Sequence, residues 1–115
     1  MSEAVVGHID ELGDGMVRKV RSALGVEAFG VNAFVLAPGE EGRRHAHERQ
    51  DELYFVHAGR PEIEIDSIVH ALRPGSVVHV PARFVRQLRN GADEPAVFLI
   101  VGASGGYAGR DGRPA

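Results

Sequence analysis

Short apolar stretches alternate with turn signals along the chain, at the spacing of a sandwich or barrel and without sustained helical periodicity. Phe29 to Leu36 gives way to Pro38-Gly39-Glu40-Glu41-Gly42, and Glu52 to Val56 runs into Ala58-Gly59-Arg60-Pro61, so both predicted strands end at glycine and proline breaks. Glu62, Ile63, Glu64 and Ile65 alternate strictly, as a half-buried strand does, and Asp66-Ser67 forms a two-residue hairpin into Ile68 to Leu72. Pro74-Gly75 precedes Ser76 to Val80, which is followed by Arg86 to Leu88. Asn90-Gly91-Ala92-Asp93 then leads into Ala96 to Val101. The pattern predicts an all-β, antiparallel fold with no repeat and no second domain. Residues Ser2 to Leu12 are compatible with a short helix or an edge strand. Gly102 to Ala115 carries five glycines and reads as a flexible tail. Gly105-Gly106-Tyr107-Ala108-Gly109 suggests a phosphate loop, but no helix follows it; Tyr107 folding back over a barrel mouth is the functional alternative.

Candidate chemistry is concentrated between Gly39 and Gly59, in the pattern G-x5-H-x-H-x4-E-x6-G. In an extended strand His45 and His47 point to one face, and Glu52 opens the next apolar run, so a tight turn brings the three together. Two imidazoles and a carboxylate on one side leave coordination positions open, as in non-haem iron sites and those of other borderline divalent ions. Tyr54 and Val56 share the parity of Glu52 and line the same cavity. Leu53 and Phe55 then face outward, and an apolar outer patch predicts a homodimer. His57 has the opposite parity to Glu52, and His8 and His70 have no partners in sequence. His79, two residues before Pro81, is a possible additional site residue, though packing or an interface explains it as well.

The spacing resembles the first motif of the cupin superfamily and satisfies every position of it. The resemblance, to a small single-domain cupin of the conserved β-barrel type, runs from about Phe29 to Val101. It implies an antiparallel double-sheet β-barrel of jelly-roll type over residues 17–101, with 1–16 as a lead segment and 102–115 as a Gly-rich C-terminal tail. It also implies that His45, His47 and Glu52 are metal ligands, the divalent ion being Fe, Mn, Ni or Zn. The second motif, G-x5-P-x-G-x2-H-x3-N, is met at Gly75, Pro81 and Asn90. Arg83 replaces its glycine, and Arg86 replaces the histidine that would be the fourth ligand.

A guanidinium is permanently cationic and cannot coordinate. At an effective dielectric near 20, a unit charge about 5 Å from a divalent ion is repelled by roughly 6 kcal/mol. Two alternatives follow: Arg86 swings past the ion and, with Tyr54, binds an anionic substrate, or it pairs with Glu52 in the metal's place. Arg83 and Arg89 are expected in solvent. Members of the superfamily include enzymes, sugar-binding proteins and storage proteins, so the implied activities are a metal-dependent enzyme acting on a small anion, a sensing module, or a metal-free dimeric domain.

Composition narrows this further. The 115 residues suffice for one core, and cysteine is absent, which removes thiolate metal sites, disulfides and cysteine nucleophiles. The net charge of -3 argues against general affinity for nucleic acid or anionic membrane. No apolar run approaches the ~20 residues that cross a bilayer, and the acidic N-terminus lacks a signal-like core, so a cytoplasmic location is expected.

Overall fold

A computed structural model describes residues 3–103 and 111–115. The described chain forms ten strands: β1 Val17–Arg18, β2 Gly30–Leu36, β3 His45–His47, β4 Asp51–Ala58, β5 Glu62–Ile65, β6 Ile68–Ala71, β7 Val77–Val80, β8 Arg86–Arg89, β9 Ala96–Ala103 and β10 Gly112–Pro114. They build two five-stranded antiparallel sheets, ordered β1-β2-β9-β4-β7 and β10-β3-β8-β5-β6. Alternation does the sorting. In β9, Ala96, Phe98 and Ile100 turn inward while Val97, Leu99 and Val101 lie on the outer face, and β4 buries Tyr54 and Val56 but exposes Leu53 and Phe55.

The core between the sheets comprises Leu36, Tyr54, Val56, Ile63, Val80, Leu88, Phe98 and Ile100, with Tyr54 and Phe98 edge to face. It draws on both sheets, so the fold is the antiparallel jelly-roll barrel expected. The Asp66-Ser67 hairpin has positive φ at both residues, 46° and 72°, as a primed two-residue turn requires. Gly59 combines a φ of 85° with a close approach: a Cβ there would stand 2.5 Å from the Pro95 carbonyl oxygen.

Three parts depart from the sequence reading. A helix, α1 at Val20–Leu24, is closed by Gly25 in a left-handed conformation; five residues are too few to establish a period. The lead segment holds a single 3-10 turn at Ile9–Glu11, where His8 Nδ1 accepts from the Asp10 amide, in place of the helix or edge strand expected over Ser2 to Leu12. The C-terminal residues are not a free tail where they are described: Gly102 and Ala103 belong to β9, and β10 pairs with β3. Hydrogen bonds to Asp111 supply the reason and are detailed below. Tyr107 and the Gly105–Gly109 stretch lie outside the described residues. Among those described, no helix is long and apolar enough to cross a membrane.

Candidate metal centre

Strand β3 delivers His45 and His47, and the turn after it returns the chain as β4 with Glu52 near its start. One donor atom from each lies within 4.8 Å of the others. His47 Nε2 is 3.3 Å from Glu52 Oε1 and His45 Nε2 is 4.0 Å from the same oxygen. Space for Glu52 comes from β9. Its cross-strand partner is Gly102, where a Cβ would approach Glu52 Cγ to 3.4 Å and Gln50 Oε1 to 2.8 Å.

The outer nitrogens of both rings identify their tautomers. His45 Nδ1 is 2.9 Å from the Arg43 carbonyl oxygen and His47 Nδ1 is 2.8 Å from Asp111 Oδ1. Neither acceptor carries a proton to give, so each Nδ1–H donates and each Nε2 is left bare in the neutral ring. Two lone pairs therefore face the Glu52 carboxylate. His47 Nε2 is buried and has no hydrogen-bond partner. Three acceptors converge at this partly buried place, an arrangement that a cation, a proton on His47 or a metal ion, would satisfy.

The titration behaviour reflects this crowding. Burial pushes His45 below the usual histidine range against the pull of the Arg43 carbonyl and Glu52. For His47 burial acts downward too, but Glu52 and Asp111 outweigh it and its proton affinity rises. Burial would raise Glu52, yet the nearness of the His47 ring and the hydrogen bond from Tyr54 bring it below the ordinary carboxylate range. Tyr54 donates its hydroxyl to Glu52 Oε1 at 2.6 Å; burial first, and then Glu52, hold the phenol well above its ordinary value. It stays a donor. Asp111 is held well below the usual carboxylate range, because donors from Arg49, Gln50 and His47 outweigh its desolvation.

Arg86 sits opposite His45 in the β3–β8 pairing, fully buried. Its guanidinium is shared between backbone carbonyls and Glu52. Its Nη1 donates to the Ala82 carbonyl at 3.2 Å, and its Nη2 donates to Val80 at 3.2 Å and Pro81 at 3.0 Å. Only Nε turns toward Glu52, at 4.0 Å and without a hydrogen bond. The fork has been spent on the loop that follows β7, and it does not line the cavity over the histidines.

That cavity encloses about 620 Å³, within the range of small-molecule sites, and His45, His47, Glu52 and Tyr54 form part of its wall. Its basic lining residues are Lys19, Arg21 and Arg43. Lys19 and Arg21 come from the segment leading through α1, and Arg43 immediately precedes β3. His79 is elsewhere: it stands on the outer face opposite Leu53, 3.5 Å from Asp51 and exposed. The sequence reading missed Asp111 and the basic wall, since neither belongs to a motif. Arg89, expected in solvent, is half-buried and paired with Glu64. Arg83 is exposed as expected.

Residues 32–102 match the family described as "Cupin domain". The chain belongs to the cupin family. A cupin from Silicibacter pomeroyi described as a sugar phosphate isomerase is 31% identical, with 81% of this chain and 67% of that one aligned at a TM-score of 0.70. A cupin protein from Bacteroides fragilis is 21% identical and superposes over 96% of this chain and 89% of its own at a TM-score of 0.78, a likeness of fold. Protein SchB of Streptomyces halstedii is 32% identical over 66 residues, 57% of this cupin. The match spans about half of SchB, 48% of its length.

Proposed function

We propose that this cupin binds a divalent metal ion on His45, His47 and Glu52 and a small anionic molecule in the cavity beside it. The observation that carries the reading is the bare, buried Nε2 of His47 facing Glu52 Oε1 at 3.3 Å. The donor set fits. An ion about 2.0 to 2.2 Å from each donor sets the donors roughly 3 to 3.5 Å apart, so His45 Nε2, 4.0 Å from Glu52 Oε1, has to move in by about 0.5 to 1 Å. Such an ion acts as a Lewis acid, polarising an oxygen of the bound molecule. Around it the chain's own groups have fixed tasks: Tyr54 holds one Glu52 oxygen, and the Arg43 carbonyl and Asp111 hold the ring tautomers. With the ion present, its charge and that of Arg86 exceed those of Glu52 and Asp111, which favours an anionic ligand.

Arg43 supports the same reading. Among the described residues its guanidinium has no ion pair or side-chain hydrogen bond, and it lines the cavity next to His47. It takes the role expected of Arg86. A phosphorylated sugar, the class named for the Silicibacter relative, offers both a charged group for this wall and oxygens for the ion. Arg43→Ala is expected to weaken binding of a hexose phosphate to the metal-loaded protein by roughly 10- to 100-fold, the loss of a charge-assisted bond, and to leave the unphosphorylated sugar unaffected. Calorimetry with both ligands checks it.

A metal-free role is the rival reading, favoured by the raised proton affinity of His47 and the nearness of Arg86 Nε to Glu52. Thermal unfolding with and without divalent ions separates the two, because a ligand that binds the native state at 100 times its Kd adds about 2.7 kcal/mol.

The partner reading rests on the outer face of the first sheet, where Leu53, Phe55 and Val77 are 46%, 38% and 66% exposed. Cross-strand pairing places these apolar side chains side by side, next to Leu99 and Val101. A second copy covering that face would remove the patch from water. In sedimentation the protein is expected to run as a dimer at micromolar concentration and Phe55→Asp as a monomer; a dimer indifferent to the new charge would place the interface elsewhere.

A further inference from the structure

We infer that Asp111 is a positioning residue for the metal centre: it selects the tautomer of His47 and so decides whether that ring offers a lone pair or a proton. The inference rests on the metal-binding reading above for its functional meaning, but the tautomer itself does not.

Asp111 arrives from the far end of the chain, just before β10, and is almost fully buried. Its Oδ2 accepts from the backbone amides of Arg49 at 2.7 Å and Gln50 at 2.8 Å. Its Oδ1 accepts from Gln50 Nε2 and from His47 Nδ1, both at 2.8 Å. Three of these four donors cannot act as acceptors, so the carboxylate is fixed in place as an acceptor on every side. His47 has no choice but to donate from Nδ1. The ring is confined as well. Gly112 lies opposite His47 in the β10–β3 pairing, and a Cβ there would come within 3.3 Å of His47 Cε1, so the imidazole packs against the backbone of the last strand. His45 differs in that a backbone carbonyl sets its tautomer, which no substitution of the acceptor removes. Among the two ligand rings, His47 alone depends on a side chain for the identity of its free nitrogen.

Asp111→Asn exploits this dependence. The amides of Arg49 and Gln50 still need an acceptor, so the new side-chain oxygen takes the place of Oδ2, and the amide nitrogen faces both His47 Nδ1 and the Gln50 side chain, whose amide turns to present its oxygen. That nitrogen donates, so Nδ1 must accept and the ring proton moves to Nε2, toward Glu52. Metal binding then has to reverse the arrangement, and an outer hydrogen-bond partner of this kind changes affinity by about 10- to 100-fold.

The test uses the full-length chain, freed of metal and at a pH where the ring is neutral, with nitrogen-15 imidazole spectra and a zinc titration. Wild-type His47 is expected to show Nδ1 protonated and Nε2 bare, and Asp111→Asn the reverse, with zinc binding about 10- to 100-fold weaker. A wild-type ring protonated at Nε2 overturns the inference without any variant, which covers the case of an Asp111→Asn protein that does not fold. An inverted tautomer with zinc affinity unchanged overturns the positioning role. Should wild type bind no zinc or other divalent ion while its tautomer is as described, the metal-binding reading fails and the structural assignment of Asp111 stands apart from it.

Discussion

Arg86→Ala is expected to destabilise the protein by about 3 to 5 kcal/mol, the range seen when one member of a buried charged set is removed. The side chain is wholly shielded from solvent, and its two terminal nitrogens serve the carbonyls of Val80, Pro81 and Ala82. Truncation strands all three, opens a void between β8 and the loop after β7, and leaves Glu52 without its nearby cation. For a domain of this size the loss lowers the melting temperature by roughly 10 to 25 °C. Arg86→Lys should recover little, because one ammonium cannot reproduce the planar fork that spans three carbonyls. With a divalent ion bound the deficit is smaller, since the ion then supplies the cation beside Glu52 and only the loop bonds are lost. Denaturant unfolding measures it directly, and a cost under about 1 kcal/mol would show that the loop carbonyls find other donors.

Glu52→Gln is the second large effect, and it falls on binding. Glutamine preserves the shape and still accepts from Tyr54, but removes the one anionic donor of the site. Divalent-ion affinity is expected to drop by more than the roughly 100-fold that loss of an outer hydrogen-bond partner brings. In the metal-free protein the same change acts on pH dependence. His47 is raised above the ordinary histidine range in the folded state, so its pairing with Glu52 contributes fully below that range and fades as pH climbs through the folded value. Glu52 is lowered below the ordinary carboxylate range, so its contribution is present above that range and is lost as pH falls through the folded value. Wild type and Glu52→Gln should therefore differ most between these two transitions. A metal ion competes with the His47 proton, so ion affinity rises with pH across the upper one.

Much of this was legible in the residues. Alternation in Glu62 to Ile65, the glycines after Leu36 and Val56, and the parity of Glu52, Tyr54 and Val56 all lead to the sheets and the inward faces observed. Strand geometry makes that possible, because a period of two fixes the face once one residue is placed. The meeting of His45, His47 and Glu52 was legible for the same reason. What escaped depends on contacts between distant parts of the chain. Asp111 lies 64 residues from His47, among glycines that carry no strand pattern of their own, and only the pairing of β10 with β3 brings it to the ring. Arg43 and the basic residues around α1 reach the cavity through turns whose direction no periodicity encodes. Arg86 was placed on the correct face, but a long side chain on that face had several partners open to it. The carbonyls of Val80, Pro81 and Ala82 engage its terminal nitrogens, and only Nε faces Glu52.

The central claim is that three acceptors gathered at one partly buried place hold a divalent ion. Isothermal titration of metal-free protein with manganese, iron(II), nickel and zinc tests it most directly, with Glu52→Gln alongside. The account predicts saturable binding of one ion per chain by at least one of the four, lost or severely weakened in the variant. No binding of any of them, or binding that Glu52→Gln leaves unchanged, would contradict it.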